Sequence, residues 1–289
     1  MTSIAGPVVR IAPERRDTYL ATLYGKALDA ASTRPILGDQ FAADAVARFD
    51  YDFKALRLPR GVEVTLPLRA RHFDQWTRAF LVANPHSTVL HLGCGLDSRV
   101  HRVDPGPAVR WYDDDLPDVI ALRERLYPHR PGYHVIGTSV LDLAWLEMIP
   151  HDTPTLVIAE GLVMYLPPAA GTALFHRVVE LFSSGEIAFD GYSRLMTRLV
   201  SRFAAIRAAH VDLVWGIDDP HDLEQRIPGL HLAENVEFLM MPELIERLSR
   251  SPLSTFTYKI AGLLPFYRTL IRHLRYTFPV ASTVPRHVS

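Results

Sequence analysis

Val89-Leu90-His91-Leu92-Gly93-Cys94-Gly95-Leu96-Asp97-Ser98-Arg99 (VLHLGCGLDSR) is the stretch that decides the fold. Thr88–Leu92 is a short β-rich run that passes directly into Gly-x-Gly, and Ser98–Val103 carries the turn into a short helix. Glycines at the end of a strand let the backbone turn sharply and approach a ligand closely. A dinucleotide fingerprint would need a third glycine, because the pyrophosphate requires a tight helix approach there. Here Gly95 is followed by Leu96, Asp97 and Ser98. A ligand without phosphates needs only the open turn. Taken alone, the turn is equally well explained as a structural strand-to-helix junction.

Outward from this turn, strands and helices alternate. Val109–Tyr112 predicts a second strand, ending in Asp113, Asp114 and Asp115. Residues 117–127 predict a helix with Pro117 at its start, where the missing N–H costs nothing. Tyr133–Gly137 reads as a third strand, residues 142–148 as a short helix and Thr155–Ala159 as a fully apolar fourth strand. Residues 168–183 follow as a helix and Gly185–Asp190 as a fifth strand. Such alternation with apolar strands implies a parallel sheet covered on both faces. Right-handed crossovers then make a doubly wound α/β sheet the expected fold.

Upstream, residues 18–33, 39–50 and 68–84 predict three helices, the second capped by Asp39. Pro59–Pro67 reads as a loop and residues 1–20 as a loose arm. Downstream, residues 193–212 predict a long helical insertion. Residues 220–226 and 242–249 read as helices and 230–237 as a strand. The tail predicts a helix over Gly262–Leu274 and a last β-rich piece over Arg275–Val280.

Composition narrows the function classes. A formal net charge of −1 over 289 residues provides no field to attract nucleic acid or an anionic membrane. The one cysteine, Cys94, rules out an internal disulfide framework and fits a cytoplasmic protein. The N-terminus has no apolar run of signal-peptide length, and no apolar segment reaches the roughly 20 residues of a membrane span. The 13 histidines are scattered without HxxxH or CxxC spacing, so no metal site is expected.

Two acidic positions bear on the ligand. In an open parallel sheet, ligands bind at the strand C-termini. A carboxylate at the end of strand two can accept both hydroxyl protons of a ribose and would repel a 2′-phosphate. At most one or two of Asp113, Asp114 and Asp115 can point that way; the plainer alternative is a solvated acidic surface. Glu160 follows the fourth strand in IAEGLVMYL and reaches the same edge, unless it serves merely as a helix cap.

With those residues in place, the chain resembles the leucine carboxyl methyltransferase family, in its bacterial branch of tetracenomycin-type polyketide O-methyltransferases. The resemblance runs from about Tyr24 to Gly229 and is carried by LGCGLDSR (Leu92–Arg99), WYDDDLP (Trp111–Pro117) and LVIAEGLVMYL (Leu156–Leu166). It implies a class I methyltransferase fold, with seven strands of which the last is antiparallel. It also implies a single domain over residues 1–289. Within it, helices would occupy residues 1–84, the cofactor core 85–192, a helical lid 193–229 and the rest of the core 230–289. The implied cofactor is S-adenosyl-L-methionine, and the implied reaction is O-methylation of a carboxyl or hydroxyl group on a polyketide-like small molecule.

Carried over position by position, the resemblance places Lys26 and Arg71 on the cofactor carboxylate. It gives Gly93 and Gly95 the turn, Asp115 the ribose and Glu160 the methionine amino group. Where the family often has Asp-Leu for the adenine, this sequence has Ser139–Val140. On the acceptor side the resemblance singles out Tyr165. A hydroxyl acceptor would require a base, for which His210, Asp190 and Tyr192 are candidates. Met196, Leu199, Phe203, Ile206 and Trp215 would suit an apolar or aromatic acceptor, although core packing of the lid is the simpler account. Two other readings compete: a repurposed methyltransferase fold acting as a binding protein, favoured by Ser139–Val140, and a nicotinamide-dependent dehydrogenase, disfavoured by the missing glycine.

Overall fold

A computed structural model describes residues 7–10, 18–202, 212–249 and 251–278. Its centre is a seven-stranded sheet. We number the strands β1 (Thr88–Leu92), β2 (Arg110–Asp115), β3 (Tyr133–Gly137), β4 (Thr155–Ala159), β5 (Gly185–Tyr192), β6 (His231–Glu237) and β7 (Ile271–Phe278). The order across the sheet is β3-β2-β1-β4-β5-β7-β6. Strands β1 to β5 pair in parallel, and β7 runs antiparallel to both β5 and β6. This is the class I methyltransferase arrangement, a Rossmann-like sheet with N-terminal helices.

The period-two alternation of the strands sorts their side chains into two layers. Leu90, Leu92, Val157, Ala159, Ile187 and Phe189 pack with helix α6 (Pro168–Leu181). Val89, Leu156, Ile158 and Ala188 pack on the opposite face with Phe73, Trp76 and Phe80 of helix α3 (Val62–Ala83). Helices α1 (Thr18–Ala30) and α2 (Gln40–Arg48) form a third cluster with Leu96 and with α5 (Pro117–Leu126). Between α3 and α5, the turn after β1 opens into the short helix α4 (Arg99–Val103).

Several expectations need correction. The three aspartates lie inside β2, not beyond it, because Asp113, Asp114 and Asp115 pair with Val135, Ile136 and Gly137 of β3. Helix α3 starts at Val62, within the segment read as a loop. Gly61 opens it at φ 90°, and Pro67 sits inside it. Packing outweighs the one N–H that Pro67 lacks: α1 crosses α3 so closely that a Cβ on Gly25 would lie 2.9 Å from Leu66.

The residues read as a loose arm include Val9–Arg10, which pair in parallel with Phe49–Asp50. After β5 comes α7 (Arg194–Val200), shorter than the predicted insertion, whose remainder falls largely outside the described residues. Helices α8 (His221–Arg226) and α9 (Pro242–Leu248) appear as expected. The tail helix lies earlier than its apolar spacing suggests, as α10 (Pro252–Ala261) and α11 (Pro265–Arg268), and β7 begins at Ile271. Pairing of Ile271–Leu274 with Tyr192–Phe189 decides this, a contact that local spacing does not contain.

Candidate functional site

The sheet order reverses between β1 and β4, so the crevice outside their C-terminal ends is where a ligand is expected. Four segments meet there: the glycine turn, the end of β2, the Glu160 turn and the end of β5. Gly93 and Gly95 have φ of 56° and 53°, values that favour glycine. A Cβ on Gly93 would lie 2.8 Å from Leu162 Cδ1, and one on Gly95 would lie 3.1 Å from Tyr19 Cβ. The turn is held from β2: Cys94 N–H donates to the Asp114 carbonyl at 3.0 Å, and Gly95 N–H donates to Asp115 Oδ2 at 2.7 Å. Asp115 Oδ1 accepts from Leu116 N–H at 2.7 Å. Each Asp115 oxygen therefore keeps a lone pair for a further donor. The Cys94 thiol is buried, and burial pushes its pKa well above the usual value, so it is not a nucleophile candidate.

Glu160 is the hub of a buried ionic cluster. Its Oε1 accepts from Arg69 Nε at 2.9 Å, and its Oε2 accepts from Arg99 Nη2. Burial alone would raise this carboxyl; Arg99, Arg69 and Lys26 outweigh it and hold it down at about 2. Arg69 also donates to Asp190 Oδ2 at 3.0 Å, while Asp190 Oδ1 accepts from Gly161 N–H at 2.5 Å. Lys26 is 1% exposed, and its ammonium stands 3.0 Å from Asp97 Oδ2 without the alignment of a hydrogen bond. Among the described residues its ammonium has no hydrogen bond to add to this ion pair.

The structure brings together Lys26, Gly93, Gly95, Asp115 and Glu160 around one strand edge. It does not bring Arg71. That side chain pairs with Glu243, both side chains about one-third exposed. Arg69, two residues earlier on α3, is the arginine that meets Glu160 and Asp190. The signal is present in LRARHFD: the buried stripe of α3 runs through Phe73, Trp76 and Phe80, and helical periodicity puts residue 69 on that stripe and residue 71 off it. Sequence reasoning also missed Arg99, Asp97, Asp74 and Arg102 as site neighbours, although LGCGLDSR contains two of them.

Ser139 is exposed and its hydroxyl accepts from Leu141 N–H at 3.3 Å, while Val140 is buried. Tyr165 lies in a short 3-10 turn after Glu160, and burial raises its phenol pKa, as it does for Tyr192. Asp190 is inside β5, where Arg69 engages one of its oxygens and Gly161 N–H the other. His210, Phe203 and Ile206 lie outside the described residues. Among the described residues no group of histidine, cysteine and carboxylate side chains is arranged to hold a metal. No described helix is long and apolar enough to cross a membrane.

Asp114 is fully buried and neither carboxyl oxygen has a hydrogen-bond partner. Burial, then the neighbouring Asp115 and Asp113 charges, push its pKa up to about 8. The folded state therefore holds a proton that the unfolded chain releases near its ordinary value. Stability from this group is full below about pH 4 and is lost as pH rises through about 8. Denaturant unfolding at about pH 5 and about pH 8 is expected to show stability falling by up to about 1.4 kcal/mol per pH unit. In Asp114→Asn that component of the slope should vanish; an unchanged slope would refute the assignment.

Comparison with known proteins bears on the family and the fold. The family model for leucine carboxyl methyltransferase matches residues 11–179. The tetracenomycin polyketide synthesis O-methyltransferase TcmP of Streptomyces glaucescens is 40% identical over 262 residues, covering 91% of this chain and 96% of its own. The S-adenosyl-L-methionine-dependent methyltransferase dpfgK of Gibberella zeae is 34% identical over 241 residues, covering 76% and 81%. Among solved structures, a duf574 family protein from Streptomyces avermitilis superposes with a TM-score of 0.58 at 15% identity, covering 92% of this chain and 99% of its own. The plantazolicin methyltransferase BamL, solved with SAH, gives a TM-score of 0.50 at 10% identity, covering 91% and 97%.

Proposed function

The chain belongs to the leucine carboxyl methyltransferase family and is an S-adenosylmethionine-dependent methyltransferase, and from that premise we propose that it O-methylates a carboxyl group of a polyketide-like small molecule. The observation that carries the cofactor side is the buried cluster at the switch point. Lys26, Arg69, Arg99 and Arg102 face Asp39, Asp74, Asp97, Glu160 and Asp190, one carboxylate more than the cations. An amino acid end bearing a sulfonium complements such a site: its carboxylate suits Lys26 and Arg69, its ammonium the remaining lone pairs of Glu160. Asp115 would take the ribose, the open turn at Gly93 and Gly95 would let the backbone approach, and Ser139 and Val140 would border the adenine.

The bound cofactor supplies an electrophilic methyl on a positively charged sulfur. What remains for the protein is to bind, orient and exclude water. A carboxylate acceptor is already ionised at neutral pH and requires no base. That fits a site in which the Asp190 carboxylate is committed to Arg69 and Gly161. Tyr165 and Tyr192, with phenols kept protonated by burial, would donate hydrogen bonds to the acceptor. We also propose that the helical segments after β5 and before β1 cover the acceptor, in one domain with the sheet, in the cytoplasm.

Calorimetry with S-adenosylhomocysteine tests the cofactor assignment; no binding would overturn it. Labelled methyl transfer to a panel of aromatic polyketide acids and phenols tests the acceptor. With an acid, kcat/KM should stay flat from about pH 6 to about pH 9. A rate that climbs with pH through a single ionisation would instead assign a hydroxyl acceptor and a base.

A further inference from the structure

A chain of buried side chains runs across three adjacent strands and ends on Glu160. It begins at Asp113 on β2. That carboxylate accepts from Trp111 Nε1 at 2.8 Å, from the Tyr133 hydroxyl at 2.8 Å, from Arg123 and from His91 Nδ1 at 3.0 Å. Against the penalty of burial, Arg123 and the His91 and Trp111 hydrogen bonds hold its pKa at about 2, so it is a fixed anion. His91, on β1, is next. Its Nε2 stands 3.1 Å from Arg99 Nη1. A guanidinium only donates, so Nε2 must accept and the ring proton must sit on Nδ1, facing Asp113. A doubly protonated ring would set N–H against N–H.

Arg99 completes the chain from the start of α4. It has no exposed surface. Its Nε donates to Asp74 Oδ1 at 2.8 Å, Nη1 to His91, and Nη2 to Glu160, with Asp97 Oδ2 at 3.2 Å. Partners on three nitrogens fix the plane of the guanidinium. That plane in turn fixes which lone pair of Glu160 Oε2 is occupied and which is left for a ligand. It also holds Asp97, the carboxylate beside Lys26.

We propose that Arg99 is a positioning residue for the methionine end of the cofactor, and that His91, acting through Arg99, sets its orientation. This rests on the cofactor assignment above. Neither residue touches the adenosine end, which meets Asp115 and Ser139. The two ends of the ligand therefore separate the proposal from a general loosening of the fold.

The experiment is titration calorimetry with two probes, S-adenosylhomocysteine and 5′-methylthioadenosine, which lacks the amino acid end. His91→Leu removes the acceptor for Arg99. It is expected to weaken S-adenosylhomocysteine about tenfold, the effect of one misdirected charged hydrogen bond, and to leave 5′-methylthioadenosine within about twofold. His91→Gln, whose amide oxygen reaches the place of Nε2, should bring S-adenosylhomocysteine back to within about threefold. Arg99→Lys keeps the charge but loses the fork, and should behave like His91→Leu even if one variant proves hard to fold. Equal weakening of both probes, or unchanged binding of S-adenosylhomocysteine, would overturn the proposal. An unaltered protein that bound neither probe would bring down the cofactor assignment itself, a distinct result.

Discussion

Arg69→Ala is expected to lower kcat/KM for S-adenosylmethionine by at least about 100-fold, while Arg71→Ala stays within about twofold. Arg69 bridges two buried carboxylates, Glu160 and Asp190. Removing it leaves Asp190 without its guanidinium partner and Glu160 with Arg99 alone in a low-dielectric setting, a loss of about 3–5 kcal/mol for a broken buried pair. It also removes the cation proposed to hold the cofactor carboxylate. Arg71 pairs with Glu243 with both side chains about one-third exposed, where water and salt screen the interaction and the pair is worth about 0–1 kcal/mol. Steady-state kinetics with denaturant unfolding on both variants checks this. Equal effects would restore Arg71 to the site and reject the geometry that favours Arg69.

Glu160→Gln is expected to weaken S-adenosylhomocysteine by about 100-fold and to destabilise the fold by about 3–5 kcal/mol. The substitution conserves shape but removes the charge that Arg69 and Arg99 share. An amide has only one oxygen, so one guanidinium would face an N–H₂ group. The pH signature is distinct. The folded pKa of Glu160, about 2, lies below the ordinary 4.5, so its stabilisation is complete above about pH 4.5 and lost as pH falls through 2. Glu160→Gln should therefore show less acid destabilisation than the unaltered protein over that window. Asp97 and Asp113, also held low, retain a share of the slope. Melting curves at about pH 2, 4 and 6 together with calorimetry would test it; unchanged affinity would remove Glu160 from the cofactor site.

Much of the site is legible because its residues follow strands whose burial the sequence displays. Thr88–Leu92 and Thr155–Ala159 are apolar for most of their length, so the residues just beyond them had to fall at one edge of a parallel sheet. That is why Gly93, Gly95 and Glu160 can be named. The sheet position of Asp115 is legible for the same reason, although β2 runs three residues beyond the end of its apolar pattern. Polar residues inside a strand are unexpected until their partners are known, and Asp113 accepts from His91, Trp111 and Arg123.

What the residues alone determined is therefore the sheet, its alternation and the edge at which chemistry gathers, since burial period and glycine conformation are local properties of the chain. Only the tertiary structure decided which charges meet. It paired Arg69 rather than Arg71 with Glu160, tied Asp190 to Arg69 and Gly161, and ran Asp113, His91 and Arg99 in one line to Glu160. Those choices depend on contacts between residues 8 to 172 positions apart. The strength of a buried ion pair depends on geometry and desolvation that no single segment carries.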